Sequence, residues 1–383
     1  MKKILLVFGT RPEAIKMAPL YHAIKAQPKK FNLIVCVTAQ HREMLDQVMN
    51  AFNMVADIDF NLMRDGQDLF DLTASVLLNM RGALKKTEPD IVFVHGDTTT
   101  TFATSLACFY LNIPIWHVEA GLRTYNILSP FPEEFNRQVV SKLSDVHIAP
   151  TNDAKNKLLK EGISESQIIV AGNTVIDALQ YSLKSIELDS SKRKRITDLI
   201  NKVLNFNWQN DKFILITGHR RENFGKGFIE ICSAIKELAL RYPDLNFVYP
   251  VHLNPNVQKP VKDLLENASN IHLIAPMEYE YFITLLNRCY FVMTDSGGIQ
   301  EEAPSLGKPV LVLRDTTERP EAVDSGTVLL VTAERVNIIK NAARLIEDSD
   351  LYNKMSNAHN PYGDGKASKR IVSHLTKYDH KKN

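Results

Sequence analysis

Charge of one sign is nowhere in excess, long apolar runs are missing, and cysteine is scarce. Lys and Arg number 46 against 44 Asp and Glu, a formal charge of +2, a balance that gives no support for a nucleic-acid or membrane-surface protein and leaves room only for a local basic pocket. The longest apolar run near the N-terminus, Ile4–Phe8, is far too short for a signal peptide or a membrane span. The four cysteines, Cys36, Cys108, Cys232 and Cys289, are scattered with no close pair. They read as small core residues of a reduced compartment, and a cytoplasmic protein is expected. Cofactor signatures are missing too. No strand is followed by G-x-G-x-x-G, and Gly363-Asp-Gly-Lys366 continues as Ala-Ser and so fails as a P-loop. Histidines and carboxylates never fall at zinc spacing. Redox, P-loop and metal-hydrolase chemistry therefore drop down the order, and neither cofactor nor metal is expected.

What is present is ordinary enzyme composition, 44% hydrophobic and 23% charged, in a chain of 383 residues that exceeds a usual single core. Short β-branched runs alternate with helical stretches such as Pro12–Ala26, Leu69–Lys86 and Thr98–Leu111. The strand candidates of the first half are Ile4–Phe8, Leu33–Thr38, Ile91–His95, Ile115–Val118, Val146–Ala149 and Ile168–Val170. From about Asp177 to Trp208 the pattern is helical and charged, and the basic run Ser190–Arg195 reads as a solvated helix face. Strands resume with Phe213–Thr217, Leu245–Val251, Ile271–Ile274, Phe291–Thr294, Val310–Leu313 and Val328–Val331. The expectation is an α/β protein of two Rossmann-like doubly wound domains, 1–172 and 173–365, with a last helix, 366–383, returning to the first. A ligand cleft is expected between them, at the carboxyl ends of the strands.

The chemistry-bearing residues gather at strand ends. Gly9-Thr-Arg-Pro-Glu13 places Pro12 at a helix start, and Arg11 with Lys16 would suit an anion there; a plain turn with solvated bases is the alternative. Asp97, before four threonines, reads either as a helix cap or as a functional acid. Glu119 ends a buried strand, where an uncompensated carboxylate is costly and needs a partner or a task. In Pro130-Phe-Pro-Glu-Glu134 the prolines announce a helix N-terminus; Glu134 reads as structural, while Glu133 stays open to either reading. Three carboxylates on successive loops make a candidate acid/base set. In the second half, Gly218-His-Arg-Arg-Glu222 offers His219 as donor or proton carrier, unless it is a surface histidine. Asp295-Ser-Gly-Gly-Ile-Gln-Glu-Glu302 combines Ser296, two glycines and a helix start with acids behind it, which reads as a nucleotide-diphosphate site. Arg319 offers a second phosphate or base-side contact.

Taken together, GTRPEAIKMAP, HGDTTT, HVEAGLRT, PFPEEFNR, GHRREN, TDSGGIQEEAPSLGKPV and RDTTERPEA resemble the non-hydrolysing bacterial UDP-N-acetylglucosamine 2-epimerase family, in order and from residue 9 to about 330. The resemblance implies a GT-B-like fold and interconversion of UDP-N-acetylglucosamine and UDP-N-acetylmannosamine. It also implies supply of cell-envelope polysaccharide precursors and a homodimer. By motif, Asp97, Glu119, Glu133 and His219 match the family's catalytic group. Arg11, Lys16, Phe282, Ser296, Gly297, Gly298, Glu302 and Arg319 match its nucleotide-sugar contacts. Met277 departs from relatives that carry glutamine near the uracil. The family further suggests a second UDP-N-acetylglucosamine acting as activator, with Gln40, Arg64, Glu134, Arg220 and His252 as contacts, although Glu43 stands where a relative can carry glutamine. The route that fits without a redox cofactor is loss of UDP to 2-acetamidoglucal and its re-addition. A hydrolysing 2-epimerase, an epimerase for a related nucleotide sugar, a retaining GT-B glycosyltransferase and a catalytically silent nucleotide-sugar sensor are the competing readings.

Overall fold

The computed structural model describes residues 1–38, 42–64, 66–317 and 319–378. Its first-half strands are β1 (Lys2–Phe8), β2 (Phe31–Val37), β3 (Ile58–Asp59), β4 (Ile91–His95), β5 (Ile115–Val118), β6 (Val146–Ala149) and β7 (Ile168–Val170). The second half supplies β8 (Phe213–Thr217), β9 (Asn246–Pro250), β10 (Ile271–Ile274), β11 (Val292–Thr294), β12 (Val310–Val312) and β13 (Val328–Leu330). All pairs are parallel, in the orders β3-β2-β1-β4-β5-β6-β7 and β10-β9-β8-β11-β12-β13. Both are Rossmann orders. In each, the winding reverses beside the first strand, between β1 and β4 and between β8 and β11, where loops diverge and leave a crevice. No periodicity announces β3. It forms because Ile58 and Asp59 pair with Cys36 and Val37, while the Asp57 carboxylate accepts the Val35 N–H at 2.8 Å.

The central strands are apolar because helices cover both faces. Leu5, Val7, Val92, Val94 and Ala103 belong to the first core, and Ile214, Ile216, Phe228, Phe247 and Phe291 to the second. Each of these side chains larger than alanine contributes about 1.5–3 kcal/mol by leaving water. The four cysteines are buried free thiols. Among the described residues no helix is long and apolar enough to cross a membrane.

The chain divides into two units, Met1–Ser182 with the segment that starts at Tyr362, and Leu183–Pro361. The first boundary thus lies at Ser182 rather than at 172, because the Thr174–Leu188 helix begins bound to the first unit. Asp177 accepts the N–H groups of Ala367 and Ser368 at 3.1 and 2.8 Å, and Tyr181 stacks on His22 at 4.7 Å. The return falls at Tyr362 rather than 366, since the Tyr362 carbonyl accepts the Asn173 N–H at 2.7 Å. The Ala367–Lys377 helix then packs on the Arg11–Lys25 helix and buries Ile371, Val372 and Leu375.

Candidate active site

At the first reversal point, Thr10 caps the Arg11–Lys25 helix and Glu13 completes a capping box. The Glu13 carboxylate accepts the N–H groups of Gly9 and Thr10 at 3.0 and 2.8 Å, and the hydroxyls of Thr98 and Thr101 at 2.7 and 3.3 Å. This acid locks the turn after β1 to the turn after β4. Burial raises its pKa against those donors. The fit is tight: a Cβ on Gly9 would stand 2.1 Å from Thr38 Oγ1 and 2.6 Å from Thr100 Oγ1.

The helix start at Thr99–Tyr110 is capped by Thr98, whose Oγ1 accepts the Thr101 N–H at 3.1 Å. Asp97 is therefore not spent as a cap. Its Oδ2 accepts from Arg137 Nε at 2.8 Å, and its carbonyl from Asn136 Nδ2 at 2.8 Å. Burial raises the Asp97 pKa, Arg137 opposes the rise, and Glu119 and Glu133 reinforce it. Glu119, just past β5, adopts φ 64°, a left-handed conformation that strains a residue with a side chain. Its carboxylate meets the Lys16 ammonium, accepts from Asn173 Nδ2 at 3.0 Å, and lies 3.9 Å from His95 Nε2. Burial drives the His95 pKa down to about 4, leaving a neutral ring beside the pair. Lys16 therefore serves an acid of its own unit, a pairing the sequence does not disclose. Glu133 opens the Glu133–Leu143 helix and is half-buried, as is Arg11 at the start of its own helix.

Glu134 is fully buried, and its carboxylate accepts from the N–H groups of Thr124 and Tyr125 and from Gln138 Nε2, each at 3.0 Å, and from Arg137 Nη1 at 3.1 Å. Burial would raise its pKa, but these donors outweigh it and the net shift is downward. The structural reading of Glu134 is the one this geometry favours. Of the other residues expected as activator contacts, Gln40 lies outside the described residues, Arg64 is exposed, and His252 accepts the Asn254 N–H on Nδ1 at 3.1 Å.

At the second reversal point an acid again ties two turns together. Asp295, fully buried after β11, accepts the N–H groups of His219 and Arg220 on Oδ2 at 2.9 Å each. Ser296 caps the Gly297–Ser305 helix by position, and its side chain makes no capping bond. A Cβ at Gly298 would meet nothing within 4 Å, whereas one at Gly297 would touch the guanidinium groups of Arg220 and Arg319 at 3.8 Å. A helix N-terminus flanked by two arginines is an anion site. Of the two acids read as ribose contacts, Glu301 is paired with Arg319, while Glu302, buried, accepts from the Tyr279 hydroxyl at 3.4 Å. Phe282 lies half-buried on the Tyr279–Arg288 helix. The His219 side chain is 42% exposed; burial lowers its pKa, and Asp295 acts against that.

The first reversal point thus gathers Asp97, Glu119 and Lys16 with Arg137, Asn173, His95 and Glu13, the last four unassigned by the sequence reading. Arg137 and Glu13 sit inside motifs already singled out, but Asn173 carries no local signal. Chemically, the first set can take and return protons, and the second can hold a diphosphate. Among the described residues no group of three or more His, Cys, Asp or Glu could hold a metal ion.

The family model for UDP-N-acetylglucosamine 2-epimerase matches residues 22–376. A UDP-N-acetylglucosamine 2-epimerase of Campylobacter jejuni is 55% identical over 377 residues, 98% of each chain. The crystal structure of the Neisseria meningitidis enzyme bound to UDP-GlcNAc is similar at a TM-score of 0.90 and 53% identity, covering 98% of this chain and 100% of that one. That of the Methanocaldococcus jannaschii enzyme with UDP-GlcNAc and UDP gives 0.80 and 34%, again over 98% and 100%.

Proposed function

The chain belongs to the UDP-N-acetylglucosamine 2-epimerase family and is an isomerase, and from that premise we propose that it interconverts UDP-N-acetylglucosamine and UDP-N-acetylmannosamine without hydrolysis. UDP leaves C1 as the C2 proton is removed, giving 2-acetamidoglucal; a proton returns to the opposite face of C2 and UDP adds back. The observation that carries this reading is Glu119, held in a strained conformation against Lys16 beside a second acid, Asp97, whose pKa is raised. Neighbouring carboxylates, one of them with a raised proton affinity, suit a two-faced proton transfer at C2, with Glu133 as the third member of the set. The Ser296–Gly298 helix start, with Arg319 and His219, supports the departing diphosphate, Glu302 and Phe282 the nucleoside, and Arg11 assists the anion.

A homodimer fits the apolar hollow lined by Leu69, Phe70, Leu77, Phe102, Phe131 and Phe135, where Phe70 and Phe131 stand 85% and 62% exposed. The work is cytoplasmic and feeds envelope polysaccharide synthesis, and a second UDP-N-acetylglucosamine near Arg220 and His252 is the activator. Incubation with UDP-N-acetylglucosamine in deuterated water, followed by proton NMR, tests the reaction. UDP-N-acetylmannosamine carrying deuterium at C2 is expected. Free N-acetylmannosamine as the main product, or epimer without deuterium, overturns the reading.

A further inference from the structure

Asp295 is fully buried, yet its two carboxylate oxygens are used unequally. Oδ2 accepts the N–H groups of His219 and Arg220 at 2.9 Å and Asn223 Nδ2 at 3.4 Å. Oδ1 is shielded from solvent and has no hydrogen-bond donor among the described residues. A buried carboxylate oxygen left in that state costs free energy unless a nearby donor can reach it. The near one is the ring of His219, whose Nδ1 lies 3.6 Å from Oδ1, a few tenths of an ångström beyond a hydrogen bond. Nothing locks the ring away: its side chain is 42% exposed. His252 stacks on its face, with ring centres 5.3 Å apart and planes at 16°, and so leaves the in-plane Nδ1 directed to the acid.

We propose that Asp295 is a positioning residue for His219, holding the proton on Nδ1 so that Nε2 is the nitrogen that gives a proton to an oxygen of the departing diphosphate and takes it back when UDP re-adds. The inference rests on the reading of His219 as a member of the catalytic group. A neutral imidazole has one donor and one acceptor nitrogen, and an anion that accepts from Nδ1 selects the tautomer with Nε2 open. When Nε2 is protonated, the same anion stabilises the imidazolium. The charged groups that act on the ring are Asp295, which favours its cation, and His252 and Arg220, which oppose it. The backbone bonds from His219 and Arg220 to Oδ2 hold the acid at a fixed offset from the ring, so the pairing is built into the turn.

The test is nitrogen–proton correlation NMR of the ring in the ligand-free protein, assigned with His219→Asn, in wild type and in Asp295→Asn. The amide in that variant can still accept the two backbone N–H groups on its oxygen while offering an NH₂ to Nδ1. Wild type is expected to show the Nδ1–H tautomer, with the ring pKa about one unit lower in D295N. The acid limb of the kcat profile should move with it, and kcat should fall by about tenfold or more with KM changed less than about threefold. An Nε2–H tautomer in wild type, or a ring pKa unmoved in D295N, overturns the proposal. If D295N fails to fold, the wild-type tautomer decides alone. Because the ring is read without substrate, failure of the protein to epimerise UDP-N-acetylglucosamine would sink the function above and leave this result legible.

Discussion

Around the β1/β4 reversal point Asp97, after β4, and Glu119, after β5, are set against Arg137 and Lys16, whereas around the β8/β11 point stand a helix start, Arg220, a part-exposed histidine and, from beyond β12, Arg319. Strand order at the two points is the same, so topology does not choose the chemistry. The braces differ in origin. In the first unit the tying acid, Glu13, comes from the helix after the first strand, and the ends of the fourth and fifth strands are released for Asp97 and Glu119. In the second unit the tying acid, Asp295, leaves the fourth strand itself, and the turn it holds presents His219 and Arg220. One reversal point spends backbone amides on an internal acid and displays carboxylates. Its counterpart displays a glycine-opened helix end.

The largest expected effect lies in the first unit. Glu119→Gln should lower kcat by roughly 10²–10⁴-fold, the usual weight of a positioned acid/base group, with UDP affinity retained. Arg319→Ala should do the reverse, weakening UDP by about 10- to 100-fold through loss of a charge-assisted contact while moving saturated turnover less. Calorimetry and steady-state rates on both variants separate the two roles, and equal damage to both quantities in both variants would break the comparison.

Acid should also distinguish the units. His95, His117 and His147, on adjacent strands of the first sheet, are held neutral by burial, with pKa values lowered to about 4, 3 and 4. The unfolded chain takes up protons near pH 6.5, well above these values, so stability falls as pH is lowered from about 6.5 toward 4, by up to about 1.4 kcal/mol per pH unit for each histidine. Hydrogen exchange at pH 7 and pH 5 should therefore show protection lost first in the β4–β6 region. Uniform loss across both sheets would contradict this.

The smallest effect compares two glycines. Gly9→Ala drives a Cβ into Thr38 and Thr100 and should cost about 1–3 kcal/mol of stability, read by thermal melting. Gly298→Ala meets open space, so its melting temperature should hold while UDP binding drops.

Both sheets are legible in the sequence because parallel strands buried on two faces read as continuous apolar runs. The cap at Thr98 and the Lys16–Glu119 pair are less so, since a run of threonines does not say which one turns inward, and a lysine one turn into a helix does not name its acid. Asn173, whose N–H is held by the Tyr362 carbonyl, reaches Glu119 with no local signal in the sequence. The Asp295 brace is hidden for a related reason: the motif around it advertises phosphate binding, and its buried Oδ2 accepts from backbone 75 and 76 residues away.

On the proposed function, proton transfer at C2 belongs to the first reversal point and diphosphate binding to the second. Glu119→Gln, titrated with UDP by calorimetry and then held with UDP-N-acetylglucosamine in deuterated water, tests it most directly. UDP affinity within about threefold of wild type, a difference below 1 kcal/mol, and no deuterium entering C2 are expected. Loss of UDP binding together with exchange, or exchange at the wild-type rate, would contradict it.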